Sequence, residues 1–277
     1  NVSINGTFNL LNNLPTQATP ILNSTFGTNF TNENITCYNQ STLDLNRDSV
    51  KNIFGWYKNQ QPIIILNMPF EGGSNNTLTR DYAFGRNGTV INATWNSTGG
   101  YDGKGAYMFN GNNSYISVPF VDFFNQPNYT ILMWIKGPSF QPDKRIFAAG
   151  RTSSATPMFS IGTNSANAKL DIFIRASDGS ILVSHAQSTA NVLNNNWHHI
   201  AFVGGTQFYK IYIDGNVDID GTYAAGTLIL NTTTIGATER NTVSAFFNGS
   251  IDDVKVFNSS LSVQQIRALY NNRTDLI

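Results

Sequence analysis

Charge is what this sequence has least of. Only 12% of its 277 residues are Asp, Glu, Lys or Arg, and 17 basic and 17 acidic side chains cancel to a formal charge of zero. An ordinary globular chain carries about twice that charged share. Nucleic acid and anionic lipid both call for a basic surface, so the sequence makes no electrostatic case for either. Cysteine is nearly missing as well. Cys37 stands alone, which excludes an intrachain disulfide. A chain this long buries enough apolar surface to fold without one, even in an oxidising compartment. No run of about 18 apolar residues occurs, so no membrane-spanning helix is predicted. Glutamate is scarce: Glu33, Glu71 and Glu239 are the only three, and they lie far apart.

Asparagine is abundant instead, and much of it sits in N-x-[ST] sequons. These begin at Asn1, Asn5, Asn23, Asn29, Asn34, Asn39, Asn75, Asn87, Asn92, Asn96, Asn112, Asn128, Asn231, Asn248, Asn258 and Asn272. Chance in a chain of this composition would give roughly 6–8. The excess predicts an N-glycosylated protein at the cell surface; the competing reading is that composition alone makes sequons that are never used. The stretch between Asn128 and Asn231 has none, although it still contains asparagines. It is therefore predicted to be inner strand or a face kept bare of sugar for a partner. The first residue is Asn1 rather than Met, which fits a processed or excised product.

Apolar residues recur with period two along most of the chain, the signature of strands, with Gly, Asn and Asp between them. Three regions separate. Residues 1–15 are read as a strand and linker, with Val2, Ile4, Phe8 and Leu10 on one face. A lone strand has no local partner and is not stable in water, so this one is a candidate donor strand. Residues 16–66 hold a few strands, and Cys37 followed by Trp56 in GWYKNQQPI resembles strands B and C of an immunoglobulin-like domain. The match covers half of such a domain; the alternative is a β-rich extension packed on the third region. Residues 67–277 contain a dozen or so strands, including separate strands at 246–251 and 253–257. A short helix closes the chain, with Ser262 and Gln265 as its capping box and Val263, Ile266, Leu269 and Tyr270 as its apolar stripe.

The third region also carries ordered motifs: NMPFEGG, DYAFGRNGTVINATW, GKGAYMFNGNNSYISVP, YTILMWIKG, NNWHHIAFVGG, KIYIDGNV and FNGSIDDVKVFNSSLSVQQIRALYNN. Together they resemble the laminin-G-like jelly roll of the concanavalin-A-like lectin/glucanase superfamily, here behind a partial Ig-like segment as in modular prokaryotic, archaeal-type surface proteins. The resemblance implies an all-β fold: an antiparallel jelly-roll β-sandwich with an N-terminal incomplete Ig-like β-domain and one short C-terminal helix. It also implies a structural Ca²⁺, with Glu71, Asp81, Asn87, Asp252 and Asp253 as candidate ligands. The other reading of these residues is hydrogen-bonded loop carboxylates, and Arg86 beside them would repel a cation.

Glucanases of this superfamily need two carboxylates flanking the scissile bond, on a Glu-x-Asp-x-x-Glu type of strand. No such strand occurs, and there is no Gly-x-Ser-x-Gly elbow, zinc spacing or phosphate loop. No catalytic residues are assigned and the chain is predicted not to be an enzyme. Asp252 and Asp253 are adjacent on a strand, so their side chains are expected to diverge. His198 and His199 fall on opposite faces by the same rule, and His185 reads as an isolated surface histidine.

Two functions remain. The first is a structural or adhesive subunit, extracellular and on the cell surface, whose partners are copies of itself or neighbouring surface-protein domains. It would polymerise by donor-strand exchange into a filament or layer. The second is a lectin-like module of a larger adhesin or secreted enzyme. Its partners are glycans, with Tyr101, Phe123, Phe124, Phe140 and Phe246 as loop aromatics on which a sugar face can stack.

Overall fold

The computed structural model describes residues 13–24, 26–28, 33, 35–47, 50–165 and 167–273. The donor-strand residues Val2, Ile4, Phe8 and Leu10, and the sequons at Asn1, Asn5, Asn29 and Asn34, lie outside them. The chain divides into two compact units, 1–54 with 273–277, and 55–272. In the first, β1 (Thr16–Ser24) pairs antiparallel with β2 (Ile35–Leu43), with Leu22 opposite Cys37. Among the described residues this hairpin is the unit's only sheet. Cys37 falls in the first unit and Trp56 in the second. The division also falls earlier than the sequence suggests, because Ile64–Met68 is a strand of the second unit, paired with its longest C-terminal strand.

The second unit contains β3 (Tyr57–Lys58), β4 (Gln61–Pro62), β5 (Ile64–Met68), β6 (Leu78–Thr79), β7 (Gly88–Ile91), β8 (Thr94–Asn96), β9 (Ala106–Asn110), β10 (Tyr115–Pro119), β11 (Asn128–Lys136), β12 (Arg145–Arg151), β13 (Ser154–Gly162), β14 (Lys169–Arg175), β15 (Ile181–Asn191), β16 (His198–Gly205), β17 (Phe208–Ile213), β18 (Asn216–Thr222), β19 (Thr232–Ile235), β20 (Thr238–Glu239), β21 (Val243–Ser244), β22 (Asn248–Phe257) and the helix α1 (Val263–Tyr270). Two eight-stranded sheets result. One has the order β15-β14-β13-β12-β19-β10-β7-β6. The other runs β18-β17-β16-β11-β22-β9-β8, with β5 also on β22. Their inner faces share one apolar core, and the fold is an all-β jelly-roll sandwich.

Strand alternation decides which side chains make that core. From the first sheet come Phe159 and Ile161 on β13 and Leu170, Ile172 and Ile174 on β14. From the second come Tyr129, Ile131, Met133 and Ile135 on β11, with Ile200 and Phe202 on β16. Phe159 is the aromatic crossing point. Its ring lies 4.9 Å from Phe123, 5.2 Å from Phe202 and 6.3 Å from Tyr129, all three edge-to-face. Such pairs add about 0.5–1.5 kcal/mol each to the burial of the rings.

The helix forms as the sequence predicts. Ser262 Oγ accepts the Gln265 N–H, and Gln265 Oε1 accepts the Ser262 N–H. Ile266 and Leu269 are its buried residues. It is tied to the outer face of the second sheet, where the Leu261 N–H donates to Thr130 Oγ1 and Thr130 donates to the Ser259 carbonyl. Two apolar stretches lie outside the strands, and at 246–257 the structure departs from the sequence reading. Residues 50–56 are irregular, because the apolar positions there are only half-buried. Leu228 and Leu230 are buried without being in a strand. The two strands expected at 246–257 are one continuous β22.

Phe159→Ala is expected to cost about 3–5 kcal/mol by urea denaturation, because the surrounding aromatic rings cannot collapse into the space it leaves. A loss under about 1 kcal/mol would show that the two sheets are not locked through this ring.

Candidate functional site

Parity leaves the other half of each strand on the outer face. On the first sheet that face carries Asp171, Phe173 and Arg175 on β14, Met158 and Ser160 on β13, and Ala148 and Gly150 on β12. The β20–β21 hairpin lies against it. A Cβ on Gly150 would collide with the Glu239 carbonyl oxygen and sit 3.1 Å from Arg240 Cγ, so only glycine lets the hairpin settle there. Thr238 Oγ1 reaches Met158 Sδ at 3.8 Å, and Glu239 accepts a 2.8 Å bond from Thr232 Oγ1. The hairpin forms a wall; β14 and β15 form the open side.

His185 reaches this face through a bulge. Ile174 pairs with Val183 but Ile172 pairs with Ala186, so β15 has one extra residue between them. His185 is in the left-handed region, at φ 56°. Without the bulge, alternation from the core residue Val183 would turn His185 inward. With it, the exposed imidazole lies over the sheet, its Nδ1 3.0 Å from Asp171 Oδ2 and its ring centroid 4.9 Å from Phe173. Asp171 is buried, and its Oδ1 has no hydrogen-bond partner among the described residues. Burial pushes its carboxyl pKa up, while the bond to His185 and the Arg145 charge draw it back. Arg175 lies over the same Phe173 ring at 5.8 Å. Arg145 is buried behind them and pairs with Asp143 at 2.7 Å. The result is a ring, a cation and a carboxylate on a sheet floor of small residues. Such a surface can stack on an apolar ring face and hydrogen-bond to hydroxyls or an anion. Sequence reasoning passes over His185, because a bulge has no signature in alternation.

The residues that the sequence singles out are distributed elsewhere. Asp81 Oδ1 accepts the N–H groups of Asn67 and Ala83, and Oδ2 those of Phe84 and Arg86, at 2.8–3.0 Å. Four backbone donors use all its acceptor positions. Asn87 Oδ1 accepts the Asp81 N–H at 3.1 Å. These two clasp the loop and turn no acceptor outward to a cation. Glu71 is half-buried in the preceding loop, where its carbonyl accepts from Ser74 Oγ at 3.3 Å. Asp252 and Asp253 do not diverge. Trp134 pairs with Asp252 and Leu132 with Lys255, so Asp253, at φ 50°, is an extra residue that puts both carboxylates on the outer face. Asp252 accepts the Tyr101 N–H at 3.2 Å, and Asp253 pairs with the buried Lys255. Burial raises the Tyr101 pKa, and the charges of Asp253, Asp102, Asp252 and Glu71 add to the rise. Among the described residues no three His, Cys, Asp or Glu side chains are grouped to hold a metal ion.

Of the five aromatics, Phe123 is fully buried in the core and is not a ligand-facing ring. Phe124 packs at the core's rim against Tyr129, Phe159 and Tyr223. Tyr101 stacks 4.1 Å from Trp134 on the outer face of the second sheet. Phe140 is exposed in the loop before β12. Phe246 is half-buried, bridges to Arg145 through the backbone and lies 6.2 Å from the Tyr115 ring. The described sequon asparagines are exposed, except half-buried Asn96 and Asn258.

A family model described as the concanavalin A-like lectin/glucanases superfamily matches residues 110–267, more than half of the chain. Many solved structures are similar in fold. One is the binding domain of botulinum neurotoxin serotype D/C VPI 5993, at 16% identity and TM-score 0.58, covering 76% of this chain and 52% of that one. Another, at 16% and 0.57 with coverage of 76% and 51%, belongs to botulinum neurotoxin type C, whose cell entry is dependent upon interaction with two ganglioside molecules. A third is domain 4 of AbnA, a GH43 extracellular arabinanase from Geobacillus stearothermophilus, in complex with arabinotriose, at 17% and 0.58 with coverage of 75% and 98%. The chain thus spans about half the length of the toxin domains. At these identities the likeness is one of fold. No curated protein matches the sequence.

His199 is a buried histidine on the outer face of the second sheet. It packs edge-on against Trp134 at 5.3 Å and near Tyr270 at 6.0 Å. Neither ring nitrogen has a hydrogen-bond partner among the described residues. Burial lowers its pKa to about 4, with Lys255 adding to the effect and Asp253 and Asp214 opposing it. The unfolded chain takes up this proton below about pH 6.5, the folded one only near pH 4. Stability is therefore expected to fall as pH drops through that window, by at most about 1.4 kcal/mol per unit. His199→Leu should flatten the stability profile between about pH 6.5 and 4; an unchanged slope would assign the acid sensitivity to other groups.

Proposed function

We propose that this chain, which belongs to the concanavalin A-like lectin/glucanases superfamily, is a non-catalytic, extracellular glycan-binding module working from the outer face of β12–β15. The observation that carries this reading is His185 held over Asp171 and Phe173 by a strained bulge. Left-handed backbone at a non-glycine residue costs about 1–3 kcal/mol and persists where surrounding structure imposes it, often at ligand sites. Here it delivers an exposed ring with an oriented polar edge, which suits a sugar: the ring meets the apolar face and the edge meets a hydroxyl. The position in the chain agrees, since β12–β15 fall inside the stretch without sequons, so no sugar on these strands covers the face. The solved relatives are mostly binding domains, one with a bound arabinose oligomer and one tied to gangliosides, which supports recognition over catalysis. On the site itself the buried carboxylate pairs with a histidine, not with the second carboxylate a glycosidase needs.

A glycan array followed by calorimetric titration tests this. His185→Ala is expected to weaken binding at least tenfold, about 1.4 kcal/mol; it also strips the buried Asp171 of its hydrogen-bond partner, so the variant's melting curve is read beside the titration. An array without any bound glycan counts against the module.

A second reading, assembly into a surface layer or filament, is supported by the first unit. Ile21, Leu22, Ile35, Tyr38 and Leu43 of its two-stranded sheet are exposed. An isolated hairpin is marginal in water, and its open edges invite another strand. In this reading the glycoprotein's sugars are a coat and the N-terminal strand is donated between copies. Deleting residues 1–11 should then abolish polymers seen by electron microscopy; polymers that persist would exclude strand donation from this segment.

A further inference from the structure

The glycan-binding reading leaves the sugar's chemistry open, and one feature of the same face, resting on that reading, narrows it. Arg175, the last residue of β14, donates Nε to the Thr156 carbonyl at 2.7 Å and Nη2 to the Ala155 carbonyl at 2.5 Å. Arg240, which follows β20, donates Nη1 to the same Ala155 carbonyl at 2.7 Å. One carbonyl oxygen has lone pairs for both. It has no net charge, so it holds two cations side by side without neutralising either.

The acids in this region are engaged elsewhere. Asp143 pairs with Arg145, Asp171 with His185, and Glu239 takes the Thr232 hydroxyl. Among the described residues neither Arg175 nor Arg240 has an acidic partner within 4 Å. Burial, then Arg175 and Arg145, hold the Arg240 pKa below its ordinary value, as a like-charge cluster should. A guanidinium has five N–H donors, and these bonds use two on Arg175 and one on Arg240. Like charges kept adjacent in a chain with so few charges are costly unless an anion joins them. An oxyanion with two or three acceptor oxygens that reaches both guanidinium forks is the complement that geometry asks for.

We infer that Arg175 and Arg240 form an anion subsite beside the His185–Phe173 stack, and that the glycan recognised is acidic, carrying a carboxylate or a sulfate ester. Arg240 enters the site only through the hairpin that Gly150 admits, so the subsite is built from two sequence-distant elements.

The test is calorimetric titration of the whole chain with three tetrasaccharides: tetragalacturonate, which carries carboxylates; a κ-carrageenan tetrasaccharide, which carries sulfate but no carboxylate; and neutral β-1,4-galactotetraose. One of the two acidic probes is expected to bind at least tenfold tighter than the neutral one, and which one identifies the anion. That affinity should fall as NaCl rises from about 50 to about 500 mM. Arg175→Gln and Arg240→Gln should each remove at least tenfold of it. Arg240→Lys keeps the charge and loses the fork, so it should fall between; it also carries the test should either glutamine variant fold poorly by its melting curve. Equal binding of the neutral and acidic probes, unchanged in Arg240→Lys and the glutamine variants, overturns the anion subsite and leaves the glycan module standing. No binding by any probe, together with an empty array, overturns both.

Discussion

Alternation along a strand is the constraint on which the rest of this structure depends. Two sheets share one core, so every strand of the sandwich commits alternate side chains to it. What remains for chemistry is the other parity, on the two outer faces. Two polar clusters of the outer faces form where alternation is broken. In β15 an added residue turns His185 outward onto Asp171. In β22 an added residue puts Asp252 and Asp253 on the same side, around Tyr101 and Lys255. Both breaks use left-handed backbone at a residue other than glycine. The core on either side of each bulge fixes the register, so the strain is imposed by neighbours and not relieved by slipping.

The same logic extends to the hairpin. A sheet face with large side chains throughout would hold β20–β21 away from it. Glycine at 150, with Ala148 and Ser160 near it, leaves a shallow floor into which the hairpin backbone fits. Closing that distance brings Arg240 to the carbonyl that Arg175 already uses. A packing decision at one small residue therefore sets an electrostatic arrangement two strands away.

Alternation also decides which features are legible in the sequence. The sandwich, its core strands and its capped helix are legible because period-two patterning and the Ser262–Gln265 box are local signals. Opposite faces for His198 and His199 also follow from alternation; His199 is buried on the outer side, while its neighbour pairs with Asp214 at 2.8 Å. The departures have one main origin. Plain alternation makes Asp252 and Asp253 diverge and suggests a gap between strands there, because a bulge inserts a residue without changing composition. His185 reads as isolated because its partner, Asp171, is on the adjoining strand and becomes a neighbour only in the bulged register. Phe123 reads as a loop residue and is core, since ahead of β11 the chain dips inward against Phe147 and Phe159. Asp81 is a cation ligand by resemblance, whereas in the structure four backbone N–H groups already occupy it.

Low charge, the first property of the sequence, also determines how such a face must recognise anything. With a formal charge of zero there is little long-range field to steer an anion, and at physiological salt surface charges are screened beyond about 8 Å. Attraction has to come at contact, from groups placed where water competes poorly. Arg240 is half-buried between a hairpin and a sheet, and Arg145 is buried behind it. Few charges, fixed and partly desolvated, discriminate by fit instead of by field: in the proposed subsite a carboxylate or sulfate would have to reach both forks, and a diffuse polyanion would gain little.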